Sequence, residues 1–174
     1  RFLGMLLTSR LFAAAMGRAD LAPHLRAPFH VVIDEFQNMV SPAIEGALSE
    51  GRKYGLRLVL ANQNLSQLSP SLAQSVLANC SNKVVMRVGP HDADMLAPWM
   101  APQFTAADLM SLPNRHAVAR IMCDGRVSPA FAMRTRTTPE PEDTPEAAAL
   151  LAELRSESRQ RYCVAADVIS QQLA

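Results

Sequence analysis

An uninterrupted apolar run constrains this chain most: Val31, Val32 and Ile33, preceded by Phe29 and His30, stop abruptly at Asp34 and Glu35. A strand with one wet face alternates apolar and polar residues. A run without alternation predicts a strand of a parallel sheet, covered on both faces. Residues 56–61 repeat the pattern, ending in Asn62 and Gln63. Between the two, residues 44–54 read as a helix closed by Gly55 at its C-cap. Strand, helix and strand make a βαβ unit, and open α/β sheets take their ligands at the carboxyl edge of the strands. Two acids and two amides fall at that edge.

The rest of the chain extends the pattern. Residues 1–21 predict an amphipathic helix with Leu3, Leu7, Leu11 and Ala15 on one stripe. Ser69 and Pro70 read as the N-cap and first residue of another helix, entered by a stripe of Leu65, Leu68, Leu72 and Val76. Residues 83–88 predict a third strand, with Asp92 capping the helix after Gly89 and Pro90. Residues 117–122 and 127–133 predict a hairpin through Asp124 and Gly125. The expected class is α/β, a mostly parallel sheet with flanking helices and a terminal hairpin. A domain over 1–136 is followed by an acidic, proline-rich linker over 137–145 and a helical tail over 146–174. Leu150, Leu151, Leu154, Val164 and Val168 give that tail an interrupted apolar stripe.

Composition narrows the function classes. With 49% apolar and 19% charged residues, 174 residues exclude wholesale disorder and allow one domain with an appendage. A net charge of +1 gives no global basic field. Cys80, Cys123 and Cys163, odd in number and far apart, form no disulfide framework and point to a reducing cytosol. Residues 2–22 are too often interrupted, by Thr8, Ser9, Arg10, Arg18 and Asp20, to span a bilayer. His24, His30, His91 and His116 lack metal-ligand spacing, so no structural metal is expected. Ser75 and Ser128 lack a GxSxG context.

The chemistry therefore rests on the strand ends. An aspartate at Asp34 suits the water shell of a Mg²⁺ ion, and Glu35 suits the orientation or deprotonation of an attacking water. Asn62 and Gln63 are neutral amides able to bond a phosphate oxygen or that water. Arg52, in Gly51-Arg52-Lys53-Tyr54-Gly55, carries a planar fork suited to phosphate. Each has a plainer reading: solvated strand-end acids, helix capping, and a basic last turn that complements a helix dipole.

Taken in order, "FHVVIDEFQNM", "EGALSEGRKYGLRLVLANQNLSQL", "ANCSNKVVMRVGPHDADML" and "FTAADLMSLPNRHAVAR" resemble the C-terminal half of the motor domain of TraG/TraD-type coupling proteins of conjugation and type IV secretion. They are similar also to the wider HerA/FtsK family of hexameric DNA-pumping ATPases. The resemblance covers roughly residues 1–135 and implies a partial RecA-like fold. It makes Asp34 and Glu35 the Walker B pair, with Asp34 on Mg²⁺ through water, and Gln63 the polar sensor with Asn62 beside it. Arg52 matches the basic motif that supplies an inter-subunit arginine finger, with Arg57 and Arg87 as rivals. ATP and Mg²⁺ are the implied cofactors. A homohexamer, DNA or a relaxase–DNA complex, and type IV secretion components at the membrane are the implied partners. The implied place is the cytoplasm, at the inner face of the bacterial inner membrane.

One departure matters. No GxxxxGK[ST] phosphate loop is present, and neither Lys53 nor Lys83 has the required neighbours. In the family this loop lies upstream, so the expectation is a motor segment beginning after its phosphate cradle and inactive as an ATPase alone. Its apolar strands are then expected to be partly uncovered and prone to self-association. The alternatives are a stand-alone, non-catalytic interaction module derived from such an ATPase, and an unrelated small α/β hydrolase or regulator.

Overall fold

Two five-residue strands, β1 (Phe29–Ile33) and β2 (Leu56–Leu60), pair in parallel, Val31 against Leu58 and Ile33 against Leu60. They are seen in a computed structural model that describes residues 2–40, 42–137 and 144–173. Helix α2 (Pro42–Glu50) and a 3-10 turn (Gly51–Tyr54) make the crossover. Gly55 then reverses the chain at φ 80°, and a Cβ there would stand 3.0 Å from the Ala27 carbonyl oxygen and 3.1 Å from that of Arg26. Only glycine meets both demands, so the expected C-cap is also a close backbone crossing.

The strands are buried on one face. Val31 and Ile33 join Phe12, Phe36, Ile44, Leu56 and Leu72 in the core, whereas Val32 is 71% and Val59 52% exposed. Coverage on both faces, expected from the unbroken apolar run, is thus not met among the described residues.

Helix α1 (Phe2–Met16) also differs from expectation. Its buried side is Thr8, Phe12 and Ala15, and the stripe of Leu3, Leu7 and Leu11 lies exposed. The helix is apolar nearly all round, so periodicity does not select a face. Two local facts do. The Thr8 hydroxyl is satisfied within the helix by the carbonyls of Gly4 and Met5, each at 3.0 Å, and Gly4 lets Met39 pack against its backbone.

Past β2, Ser69 caps helix α3 (Pro70–Asn79) by accepting from the Leu72 amide at 3.3 Å. The third strand, β3 (Lys83–Val85), is shorter than the expected 83–88. Helices α4 (Pro90–Met100) and α5 (Ala106–Met110) follow. The chain then returns through β4 (His116–Arg120), the small hairpin β5 (Met122–Cys123) and β6 (Arg126–Val127), and β7 (Phe131–Arg134). Asp124 and Gly125, at φ 50° and 75°, form the hairpin turn as expected. The sheet order β3-β4-β7 is antiparallel throughout. Among the described residues parallel pairing is therefore confined to β1 and β2, which corrects the expectation of a mostly parallel sheet. The segment after α5 re-enters beside β3 in the opposite direction, and the hairpin folds β7 back on β4.

The chain divides into two units, Arg1–Thr135 and Arg136–Ala174. The second contains α6 (Pro145–Tyr162), capped by Thr144 on the Ala147 amide at 3.2 Å, and α7 (Ala166–Leu173). Within it Leu150, Leu151, Leu154, Val164 and Val168 are exposed. The expected linker over 137–145 lies, at residues 138–143, outside the described residues. Among the described residues no helix is long and apolar enough to cross a membrane.

Candidate active site

The parallel pairing of β1 and β2 continues past their ends. The Ala61 amide donates to the Ile33 carbonyl at 2.9 Å, and the Phe36 amide to the Ala61 carbonyl at 3.0 Å. These bonds bring Asp34 and Glu35 out of the sheet alongside Asn62 and Gln63. Gln63 Nε2 donates to Glu35 Oε1 at 2.6 Å, across 28 residues of sequence. Gln37 Nε2 donates to the other carboxylate oxygen, Oε2, at 2.5 Å. Both oxygens of Glu35 are thus held by neutral amides, which orient the carboxylate without cancelling its charge.

The backbone takes part in this aiming. Glu35 lies in the left-handed region, φ 51° and ψ 43°, at the head of a 3-10 turn (Phe36–Asn38). An L residue there costs about 1–2 kcal/mol. Such strain gathers where the fold fixes a functional side chain. Asp34 stays exposed, with Oδ1 accepting from the Glu35 amide at 3.0 Å.

The loop after β2 is anchored from α4. Asp92 is 6% exposed, and its Oδ2 accepts from the Leu65 amide at 2.9 Å. The residue expected to cap α4 therefore leaves its own helix, whose N-cap is Gly89, and ties down the loop that carries Gln63. Asn64 stiffens the same loop, its Oδ1 accepting from the amide and hydroxyl of Ser66 at 2.9 and 2.7 Å. Asn62 Nδ2, Gln37 Oε1 and Asp92 Oδ1 are buried without a partner. Buried polar atoms are rarely left so, and three of them flank one cluster.

Arg52 is elsewhere. It sits, exposed, in the turn before β2, at the amino ends of strands whose carboxyl ends carry the acids. A five-residue strand separates those ends by about 16 Å. Arg57 lies at the same end, opposite His30, and Arg87 donates to Asn114 Oδ1 at 3.0 Å. None of the three reaches Glu35 within one chain. Sequence reasoning missed Gln37, and it read Asp92 only as a helix cap. The signal for Gln37 was a polar side chain two residues after Glu35. Asp92 gave none beyond its place near a helix start.

The cluster fits one end of a metal–nucleotide complex. Mg²⁺ takes hard oxygens, commonly one or two carboxylates with phosphates and waters, and Asp34 and Glu35 supply carboxylates at an exposed edge. The unpartnered Asn62 amide is a donor of the kind a terminal phosphate accepts from. Among the described residues nothing forms a glycine-rich cradle for the remaining phosphates.

Residues 28–100 match the family model described as the TraM recognition site of TraD and TraG. The fold is similar to that of the plasmid coupling protein TrwB in complex with the non-hydrolysable GTP analogue GDPNP. The TM-score is 0.62 at 18% identity, over 80% of this chain and 38% of that one. TrwB in complex with ADP and Mg²⁺ gives 0.62 at 19% identity over the same shares. The genome packaging NTPase B204 from Sulfolobus turreted icosahedral virus 2, in complex with AMPPCP, gives 0.51 at 17% identity, over 75% of this chain and 63% of that one. At these identities the likeness shows the fold alone, an α/β fold shared with these proteins. The chain spans about two fifths of the length of the TrwB structures it matches. No curated protein matches the sequence.

Proposed function

We propose, from the premise that residues 28–100 are of TraG/TraD type, that this chain supplies the hydrolytic edge of a conjugation or type IV secretion ATPase that drives DNA or a relaxase–DNA complex. The carrying observation is the 2.6 Å bond between Gln63 and Glu35, which joins two strand ends into one cluster. In this reading Glu35 accepts the proton of the attacking water, and Gln63 and Gln37 hold its carboxylate in line. Asp34 would hold Mg²⁺ through water, and Asn62 would donate to the terminal phosphate. When bound, Mg²⁺ supplies neutralisation of the charge that develops on the phosphate oxygens. Without a phosphate cradle, these residues alone do not turn over ATP.

Arg52, at the far end of the strands, acts on a neighbouring subunit's nucleotide in a hexamer, where an arginine finger works in trans. Complementation tests this. In a coupling protein carrying this segment, Arg52→Ala and Glu35→Gln subunits are each inactive, and mixing them restores activity at interfaces that pair their intact halves. Failure of the mixture to exceed either parent removes Arg52 from that role.

The family's cargo and its membrane-bound secretion partners, with a place at the cytoplasmic face of the inner membrane, belong to this reading. A second reading is a non-catalytic interaction module of the same descent. The reading frame preceding the Arg1 codon separates them: a phosphate loop encoded there supports the motor, and a start codon just before Arg1 supports the module.

A further inference from the structure

Lys83 opens β3 and Arg120 closes β4, and the antiparallel register sets them directly opposite each other. Like charges in that relation repel. Each is tied to the end of a helix. Lys83 Nζ donates to the carbonyl of Cys80, the C-cap of α3, at 2.6 Å, and Arg120 Nη1 to that of Trp99, in the last turn of α4, at 2.7 Å. A helix C-terminus carries only about half a negative charge. Two of them leave the cation pair with roughly one uncompensated positive charge. Among the described residues neither cation has a carboxylate within ion-pair distance.

The surroundings deepen the deficit. The Lys83 ammonium lies 4.2 Å from the centre of the Trp99 ring. Burial pushes its pKa below the ordinary lysine value; the Cys80 thiol opposes the fall and Arg120 adds to it. Arg120 Nε is buried without a partner. A cavity of about 210 Å³ opens beside both cations, lined by Ala78, Ser81, Lys83, Trp99, Arg120 and Val127. That is several times the roughly 30 Å³ that a water molecule occupies in the liquid. Both cations are half-buried, and a partly desolvated cation whose only partners are neutral carbonyls is stabilised by an accompanying anion.

We infer that this cavity is a subsite for a phosphate group, gripped by the fork of Arg120 and the ammonium of Lys83. Ser81 adds a hydroxyl donor, and Trp99, Ala78 and Val127 form apolar walls for the body that bears the phosphate. A tetrahedral oxyanion offers acceptors in several directions, which suits a fixed planar fork and a point charge arriving from different sides. The subsite uses neither Asp34, Glu35 nor Gln63, so it stands independently of the nucleotide reading. The phosphate can come from a polynucleotide backbone or from a free phosphorylated compound, and the chemistry is shared.

Trp99 is the single tryptophan of the chain, so its fluorescence reports on this cavity. Inorganic phosphate is titrated into the full chain at constant ionic strength, with chloride as the replaced anion. The expected result is a saturable Trp99 change whose midpoint weakens at least tenfold in Lys83→Gln and in Arg120→Gln. Lys83→Arg retains the response, as does Lys53→Gln at an exposed lysine. Should Arg120→Gln not fold, the Lys83→Gln and Lys83→Arg pair decides. NMR of the Lys83 side chain gives a second reading: phosphate returns its pKa toward the ordinary value. Competition by a single-stranded oligonucleotide assigns the phosphate to nucleic acid; competition by glycerol phosphate alone assigns it to a small compound. No saturable change, an equal change with chloride, or a change that survives Lys83→Gln overturns the inference.

Discussion

Glu35 offers a test of the site's backbone that needs no enzymatic assay. Glu35→Ala and Glu35→Gly remove the same carboxylate and the same bonds to Gln63 and Gln37, so those losses cancel in the comparison. What differs is the backbone. At an ordinary position glycine is less stable than alanine by about 0.5–1 kcal/mol, because the unfolded chain gains freedom. At φ 51° and ψ 43° an L side chain costs about 1–2 kcal/mol that glycine does not. The difference predicts that Glu35→Gly is the more stable by roughly 0.5–1 kcal/mol, reversing the usual order. With a urea m-value of about 2 kcal/mol/M, the midpoints separate by about 0.3–0.5 M. Paired urea unfolding curves of the two variants measure it. A Glu35→Ala variant as stable as Glu35→Gly, or more so, refutes the claim that this site stores backbone strain.

Two further outcomes follow from buried groups. Asp92→Ala strips the Leu65 amide of its acceptor in a buried setting and should cost about 1–3 kcal/mol; Asp92→Asn, which keeps an acceptor oxygen, should cost less. Hydrogen exchange at Leu65 checks this, accelerated in the first variant and near normal in the second. In alkali, burial raises the Cys80 thiol above its ordinary 9.0, against the pull of Lys83, and lowers Lys83 below 10.5. As pH rises past 9.0 the unfolded thiol gives up a proton that the folded one keeps, so this term lowers stability. Between the folded Lys83 pKa and 10.5 the unfolded lysine keeps a proton that the folded one has lost, so that term raises stability. Lys83→Met should leave the fall and Cys80→Ala the rise, read as urea midpoints across the alkaline range.

What sequence disclosed and what it hid divide along physical lines. The strands at 29–33 and 56–60 were legible because an apolar run ending in charge or amide is both a packing signal and a boundary. Their outer faces were not, because Val32 and Val31 look alike until coverage is known. The same ambiguity turned α1 around: a helix apolar on most sides carries no periodic instruction about which side to bury. The direction of β4 beside β3 depends on how α4 and α5 pack, which no local pattern encodes. Asp34, Glu35, Asn62 and Gln63 were singled out as candidates from strand-end position, and the structure brings Gln63 onto Glu35. Gln37 escaped notice because a left-handed turn aims it, and Asp92 was read as a helix cap because a 27-residue separation conceals its bond to Leu65.

The measurement that bears most directly on the central claim is turnover by a coupling protein that carries this segment together with a phosphate loop, compared with its Glu35→Gln variant. The amide preserves shape and removes the charge that would accept the proton of water. General-base catalysis is worth typically 10²–10⁴-fold. The account predicts that ATP hydrolysis falls by about that factor while Mg²⁺–ATP binding is retained. Hydrolysis by Glu35→Gln at the unsubstituted rate, with nucleotide still bound, contradicts the account.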